Sequence, residues 1–303
     1  MRKIRFETLD SFRGLCAIFV LVSHLRIEST ISDFSFFMGS GRFVEFFFVL
    51  SGFVVTHSLT YKKNIEFKSF FLSRVYRLYP LHLFMLLVML IIETLKLIVF
   101  HKLNIVFSET PFTGNYDLKE LIPNILLVQA WLPNFHKLSF NGVSWSISIE
   151  FYMYIFLFVI FSLFEAKKNI VFFLISSSAF IMIFNESAIL TDSAQRGISC
   201  FFGGSLLYGV YTKLRNKYKF KSSNLWTIVE VVSLTLIYIV ITNEIRHKNI
   251  ILSIIFLVTV LIFSFELGGV SNTLKHRYFK FLGMLSYSIY MTQTFIISIL
   301  ISL

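Results

Sequence analysis

In 303 residues the sequence carries 56% hydrophobic side chains, 38 Phe among its residues, a mean hydropathy of +0.74 and a formal charge of +11. That apolar load excludes an ordinary soluble domain, and repeated runs of about 20 apolar residues, too long and too continuous for barrel strands, predict membrane helices. Only 15% of residues are charged, so the Lys and Arg excess reads as cytoplasmic loops; no soluble basic region is long enough to bind nucleic acid.

The apolar runs fall near 9–26, 43–60, 78–100, 118–132, 145–165, 169–185, 195–212, 225–242, 249–266 and 281–302. The first follows a basic N-terminus as a signal peptide would. Asp10, Arg13 and His24 inside the run, with no small-residue cleavage site after it, mark it instead as a retained helix. Ionisable groups in hydrocarbon are costly, so a helix that keeps them is expected to use them. Arg13 and His24 are eleven residues apart, which returns them to within about 20° of one helical face, about 16 Å apart along the axis.

In the second run, Ser51 and Gly52 allow close approach of a neighbouring helix or a slim ligand, close packing being the favoured reading. Next, Arg74 and Arg77 share a face at i and i+3 just before Pro80, which is expected to open the third span. Paired guanidiniums suit phosphates; positive-inside anchoring or lipid headgroup contact is the alternative. The run 118–132 contains Lys119, Glu120, Pro123 and Gln129, which suits a re-entrant or interfacial helix. If it does not cross, the basic segment 213–221, the Lys167–Lys168 pair and Lys275, His276, Arg277 and Lys280 all fall on the N-terminal side, as the positive-inside rule requires.

The expected fold is therefore all-α: one domain over 1–303, a polytopic bundle of about nine crossings plus one non-spanning helix, with the N-terminus cytoplasmic and the C-terminus outside. Cys16 and Cys200 lie in apolar runs, and no metal site is implied. Under this topology the polar residues sort into two layers. Arg13, His57, Arg74, Arg77 and Tyr79 form the inner one; His24, Glu45, Trp131, Asn141, Trp145 and Glu150 form the outer one. His24 suits a general base or a covalent acyl carrier, or else a histidine at the interface. Glu150 is either a carboxylate matched to a partner such as His24 or a neutral acid hydrogen-bonded within the bundle. Glu45, Asn141 and Trp145 are the candidates for contacting an acceptor from outside.

Five motifs in order and spread over most of the chain resemble the acyltransferase 3 family of integral membrane acyltransferases. They are Leu9-Asp-Ser-Phe-Arg13-Gly with His24 at an Arg-x10-His spacing, Phe46-Phe-Phe-Val-Leu-Ser-Gly52-Phe, Arg74-x-x-Arg77 with Leu78-Tyr-Pro80, Ser144-Trp-Ser-Ile-Ser-Ile-Glu150, and Ser286-Tyr-Ser-Ile-Tyr290. The resemblance implies transfer of an acyl group, commonly acetyl from acetyl-CoA, to a hydroxyl of a surface or exported saccharide such as O-antigen, capsule or exopolysaccharide. The enzyme would sit in the bacterial inner membrane. The family's functional Arg and His correspond to Arg13 and His24, and its Arg-x-x-Arg to Arg74 and Arg77. Members often carry His in the last motif helix where this chain has Gln293, which removes any acid–base role there. Members also usually continue into a further helix, so the resemblance implies a short variant or a truncated gene that lacks it.

The mechanism expected from both readings has Arg74 and Arg77 hold the phosphates of acyl-CoA, with Arg13 deeper on the path. The pantetheine arm follows the Arg13–His24 face, and His24 deprotonates the acceptor or carries the acyl group. Glu150 orients the imidazole or binds sugar hydroxyls. The competing function is a saccharide or lipid exporter, or a non-catalytic partner in polysaccharide assembly, whose charges line a path.

Overall fold

The computed structural model describes all residues except 1–4, 26–29, 62–64, 106, 108 and 303, with side chains as far as Ile297. The last residue of the first apolar run, Arg26, and the lysines that follow the second, Lys62 and Lys63, lie outside the described residues. Among the described residues the chain is helical throughout, with no strand. In chain order the helices are α1 (Glu7–Leu25), α2 (Ser35–Gly39), α3 (Phe43–Tyr61), α4 (Phe67–Leu103), α5 (Leu121–Ile125), α6 (Trp145–Leu163), α7 (Lys168–Phe184), α8 (Asp192–Lys217), α9 (Asn224–Thr242), α10 (Lys248–Ser264), α11 (Gly269–Leu274) and α12 (Arg277–Ser302).

Five helical stretches are long and apolar enough to cross a membrane: α1, Ser35–Tyr61, α4, Gly142–Leu163 and α9. Helices α7 and α10 are apolar but shorter. Helix α8 has 26 residues yet buries Ser193, Gln195, Ser199 and Ser205. Its neighbours shield it on several sides, so it does not need the apolar surface of a lipid-facing helix.

The long helices alternate in direction between two ends. At the end where α1 begins, Phe6 meets Tyr211 at the close of α8, Glu7 pairs with Lys280 at 2.7 Å, and Phe67 meets Phe158 of α6. At the opposite end Phe19 meets Phe43, Phe36 stacks on Tyr238, and Arg42 bonds Asn249. Two helix pairs pack unusually closely. A Cβ on Gly52 of α3 would sit 1.9 Å from the carbonyl oxygen of Phe201 in α8, and one on Gly204 would sit 2.1 Å from that of Val49. Likewise a Cβ on Gly283 of α12 would fall 2.2 Å from the carbonyl oxygen of Asp10, and one on Gly14 of α1 would strike Leu282. Backbone-to-backbone contact of this kind is how helices associate where lipid gives no hydrophobic drive. Phenylalanines fill the rest of the core, as where Phe12 meets Phe263 at 4.7 Å and Phe46 meets Phe256 at 5.2 Å.

Two expectations are corrected here. Pro80 does not open a helix: α4 runs unbroken from Phe67 through it, which places Arg74 and Arg77 inside the helix. The proline removes only the bond its missing N–H would have made to the carbonyl of Tyr76, and neighbouring helices support the rest. The run 118–132 holds a single turn at Leu118–Glu120 and the five-residue α5 in place of a longer interfacial helix. Five residues rise only about 8 Å, so this stretch cannot span. It is fastened instead as a cap. Ser148 donates to the Leu127 carbonyl at 2.6 Å, Trp131 donates to that of Ser148 at 3.2 Å, and Thr191 donates to that of Ala130 at 2.5 Å.

Candidate functional site

Helices α1, α3, α4, α6 and α12 enclose two spaces, one beyond the other along the bundle. The larger, about 680 Å³, opens at the end where α1 begins and is lined by Arg5, Asp10, His57, Tyr61, Arg74 and Arg77. Arg5 donates to the Asp10 carboxylate at 2.8 Å, which keeps its guanidinium even more firmly protonated than usual. His57 sits beside Tyr208, with Nδ1 3.1 Å from the hydroxyl oxygen. Arg74 lies between two rings, 5.0 Å from Phe70 and 4.9 Å from Tyr154, and its Nε is buried without a hydrogen-bond partner among the described residues. Arg77 is accessible to water yet surrounded by protein, as a side chain projecting into an enclosed vestibule must be.

The inner space is small, about 40 Å³, room for only a few waters. Arg13, Ser51, Glu150, Ser146, Tyr287 and Tyr290 contribute its polar wall, and Val44, Phe47, Phe48 and Ile147 its apolar one. Glu150 accepts from Ser51 at 2.5 Å and from the Tyr154 hydroxyl one turn along α6. Arg13, Arg74 and Arg77 all lie within electrostatic reach of Glu150 and Tyr154, so one cluster joins the two spaces. Tyr287 donates to the carbonyl of Leu78 at 2.6 Å, tying α12 to α4 directly beside Arg77. Tyr290 donates to the Val143 carbonyl at 3.0 Å and accepts from Ser146 at 2.9 Å, tying α12 to the start of α6.

The structure thus gathers Arg13, Arg74, Arg77 and Glu150, keeps His57 in the vestibule with Arg74 and Arg77, and sets His24, Tyr79, Glu45, Asn141 and Trp145 outside both spaces. Glu150 departs from its expected layer: it sits with the arginines and not beside His24, because the direction of α6 sets it at the level of Ser51, well below the outer end. His24 is exposed in the last turn of α1, on the same unbroken helix as Arg13. Tyr79 turns from the vestibule toward Phe151 and His82. Glu45 is buried and paired with Arg196 of α8 at 2.5 Å, and Arg196 in turn lies over the Trp145 ring at 5.6 Å and reaches Asp192 at 3.0 Å. Asn141 is buried and donates to the Met291 carbonyl at 3.0 Å. None of Glu45, Asn141 and Trp145 lines either space.

Sequence reading missed Arg196, Tyr154 and Tyr287 as members of these networks. A signal existed for two of them. Arg196 is a charge inside an apolar run, and Tyr154 is one turn from Glu150 on the same face. Tyr287 lies within the Ser286-Tyr-Ser-Ile-Tyr290 motif, but only packing brings it to α4.

The acyltransferase domain of the acyltransferase 3 family matches residues 6–303. Acyltransferase MdmB of Streptomyces mycarofaciens is 31% identical over 164 residues, which cover 51% of this chain and 38% of that protein. The chain therefore spans less than two fifths of that relative's length. No solved structure matches it. With residues of its motifs lining two neighbouring spaces and the family's domain matching nearly the whole chain, this protein belongs to the acyltransferase 3 family.

Proposed function

We propose that the chain transfers an acyl group, acetyl in the first instance, from acyl-CoA at the vestibule end to a hydroxyl of an exported or surface saccharide arriving at the His24 end. The observation that carries this reading is an imbalance of charge. Arg13, Arg74 and Arg77 face the same spaces, whereas the acids there are Asp10, already engaged by Arg5, and Glu150, already bonded by Ser51 and Tyr154. Enclosed guanidiniums whose Nε atoms lack partners are costly unless an anion joins them. The phosphates of a coenzyme meet that requirement, and forked guanidiniums bind them well.

In this reading the nucleotide end occupies the vestibule and the thin arm passes Arg13 into the smaller space. The reaction balances simply. The acceptor oxygen attacks the thioester carbon, the C–S bond breaks, and His24 takes the hydroxyl proton and returns it to the departing thiolate. Glu150 acts as counter-charge to Arg13 and tether for Ser51 and Tyr154, a role its position supports better than orienting a distant imidazole. Arg196 holds Glu45 and Trp145 from behind at the acceptor end. In this reading α1, α3, α4, α6, α7, α8, α9, α10 and α12 cross the bacterial inner membrane with the N-terminus cytoplasmic, which brings the vestibule to the acyl-CoA pool. The bilayer, acyl-CoA and the saccharide are then its partners.

The test is acyl transfer by protein reconstituted in vesicles, with labelled acetyl-CoA and surface glycan as acceptor. His24→Ala is expected to lower turnover by about 10²–10⁴-fold while leaving acetyl-CoA affinity unchanged. Arg74→Ala is expected to raise the KM for acetyl-CoA about tenfold or more. Full turnover by the His24 variant would remove that residue from the chemistry. Movement of saccharide without consumption of acetyl-CoA would favour an exporter.

A further inference from the structure

On α12, Ser286, Tyr287 and Tyr290 face the smaller space. Gln293 follows three residues after Tyr290 and seven after Ser286, so it continues the same helical stripe outward, about 10 Å beyond Ser286. It is fully buried. Neither its Nε2 nor its Oε1 has a hydrogen-bond partner among the described residues. Beside this turn of α12, Asn141 uses its Nδ2 to hold the Met291 carbonyl and leaves a buried Oδ1 equally unpartnered. A buried amide with both ends unmet is costly, and native interiors rarely tolerate one without a use for it. Three unmet polar atoms therefore gather on and beside this turn of α12, further along the helical stripe that faces the smaller space, and form a prepared set: one donor and two acceptors.

We propose that Gln293, with Asn141 Oδ1, binds the amides of the donor's pantetheine arm. This rests on the acyl-CoA reading and adds to it a means of holding the arm itself. A pantetheine arm is an otherwise apolar thread interrupted by two secondary amides, each offering one N–H and one carbonyl. A glutamine amide is the self-complementary partner of such a group: Nε2 donates to the ligand carbonyl while Oε1 accepts from the ligand N–H. Asn141 Oδ1 takes the remaining N–H. Simple phosphate anchoring would hold the nucleotide and leave the arm free to sweep. Bonds at this level fix its depth and so present the thioester toward the His24 end at a constant height. A titratable side chain is unnecessary for this task, and glutamine both donates and accepts at every pH.

The experiment is equilibrium binding to the full chain in nanodiscs, using CoA and adenosine 3′,5′-diphosphate, which has the nucleotide and no arm. Gln293→Met keeps the volume and removes the amide. CoA affinity should fall about tenfold, the loss of two neutral hydrogen bonds, while adenosine 3′,5′-diphosphate binds as before. The unliganded variant should be at least as resistant to thermal unfolding as the parent, because an unmet buried amide has gone. Unchanged CoA affinity overturns the proposal, and so does loss of both ligands, which would mean the amide already supports the fold. If the parent chain binds neither ligand, the donor reading of the preceding section falls instead.

Discussion

Glu150 illustrates how a single side chain's meaning depends on what meets it. Its carboxylate takes hydrogen bonds from Ser51 and Tyr154 on two helices, and its charge faces Arg13 and Arg77. Removing only the charge separates these roles. Glu150→Gln should fold yet leave three guanidiniums less balanced, which would tighten a bound anion and slow its departure. The expected outcome is a lower Kd for CoA, measured in the same nanodisc assay, together with reduced turnover. Weaker CoA binding would show that the carboxylate contacts the donor directly. Arg196 presents the opposite case: a residue outside both spaces that pairs with Glu45 and covers Trp145. Glu45 and Trp145 therefore hang on one guanidinium that sequence reading passed over.

Among the elements, the crossings of α1 with α12 and of α3 with α8 do most to place the site, because each sets two polar stripes at a fixed spacing. Both crossings depend on glycine for close approach and not for backbone conformation. Gly52→Ala would put a methyl group 1.9 Å from a backbone oxygen that no side-chain rotation can move. It should destabilise the bundle by about 1–3 kcal/mol, read as a lower midpoint in thermal or denaturant unfolding in detergent. Gly142→Ala, where the nearest side-chain atom would be 3.9 Å away, serves as the neutral control. Equal effects of the two would mean that the crossing is looser than its geometry indicates. Helix α4 makes a related point. Because it continues through Pro80, the two arginines ride on a rigid helix and not on a loop, with Tyr154 of α6 against Arg74 and Tyr287 tying α4 to α12.

For the molecule as a whole, the two ends differ in charge. Lys167, Lys168, Lys213, Arg215, Lys217, Lys219, Lys221, Lys275, Arg277 and Lys280 lie at the vestibule end. Glu93, Glu109, Asp117, Glu120, Glu186, Asp192 and Glu244 lie at the other, mixed with fewer cations. A chain inserted by the positive-inside rule would hold the vestibule in the cytoplasm. Both native cysteines are buried, so single introduced cysteines report cleanly. An impermeant maleimide added to intact cells should label Lys119→Cys and spare Lys217→Cys, and inverted vesicles should reverse the pattern. Labelling of both from one side would refute the orientation on which cytoplasmic acyl-CoA depends.

The sequence by itself determined the class of fold and the long helical runs, because periodicity and the cost of charge in hydrocarbon act within one segment. It also identified Gly52 as a packing residue and Arg74 with Arg77 as one face. Which stripes oppose one another was decided only by the tertiary structure. Glu150 went to the arginines, Glu45 and Trp145 to Arg196, and Gln293 to a buried turn beside Asn141, because helix direction and crossing depth are set by contacts between segments far apart in the chain. A local pattern shows which face of a helix is polar. The partner of that face depends on backbone surfaces close enough to touch, and those are assembled only when the whole bundle packs.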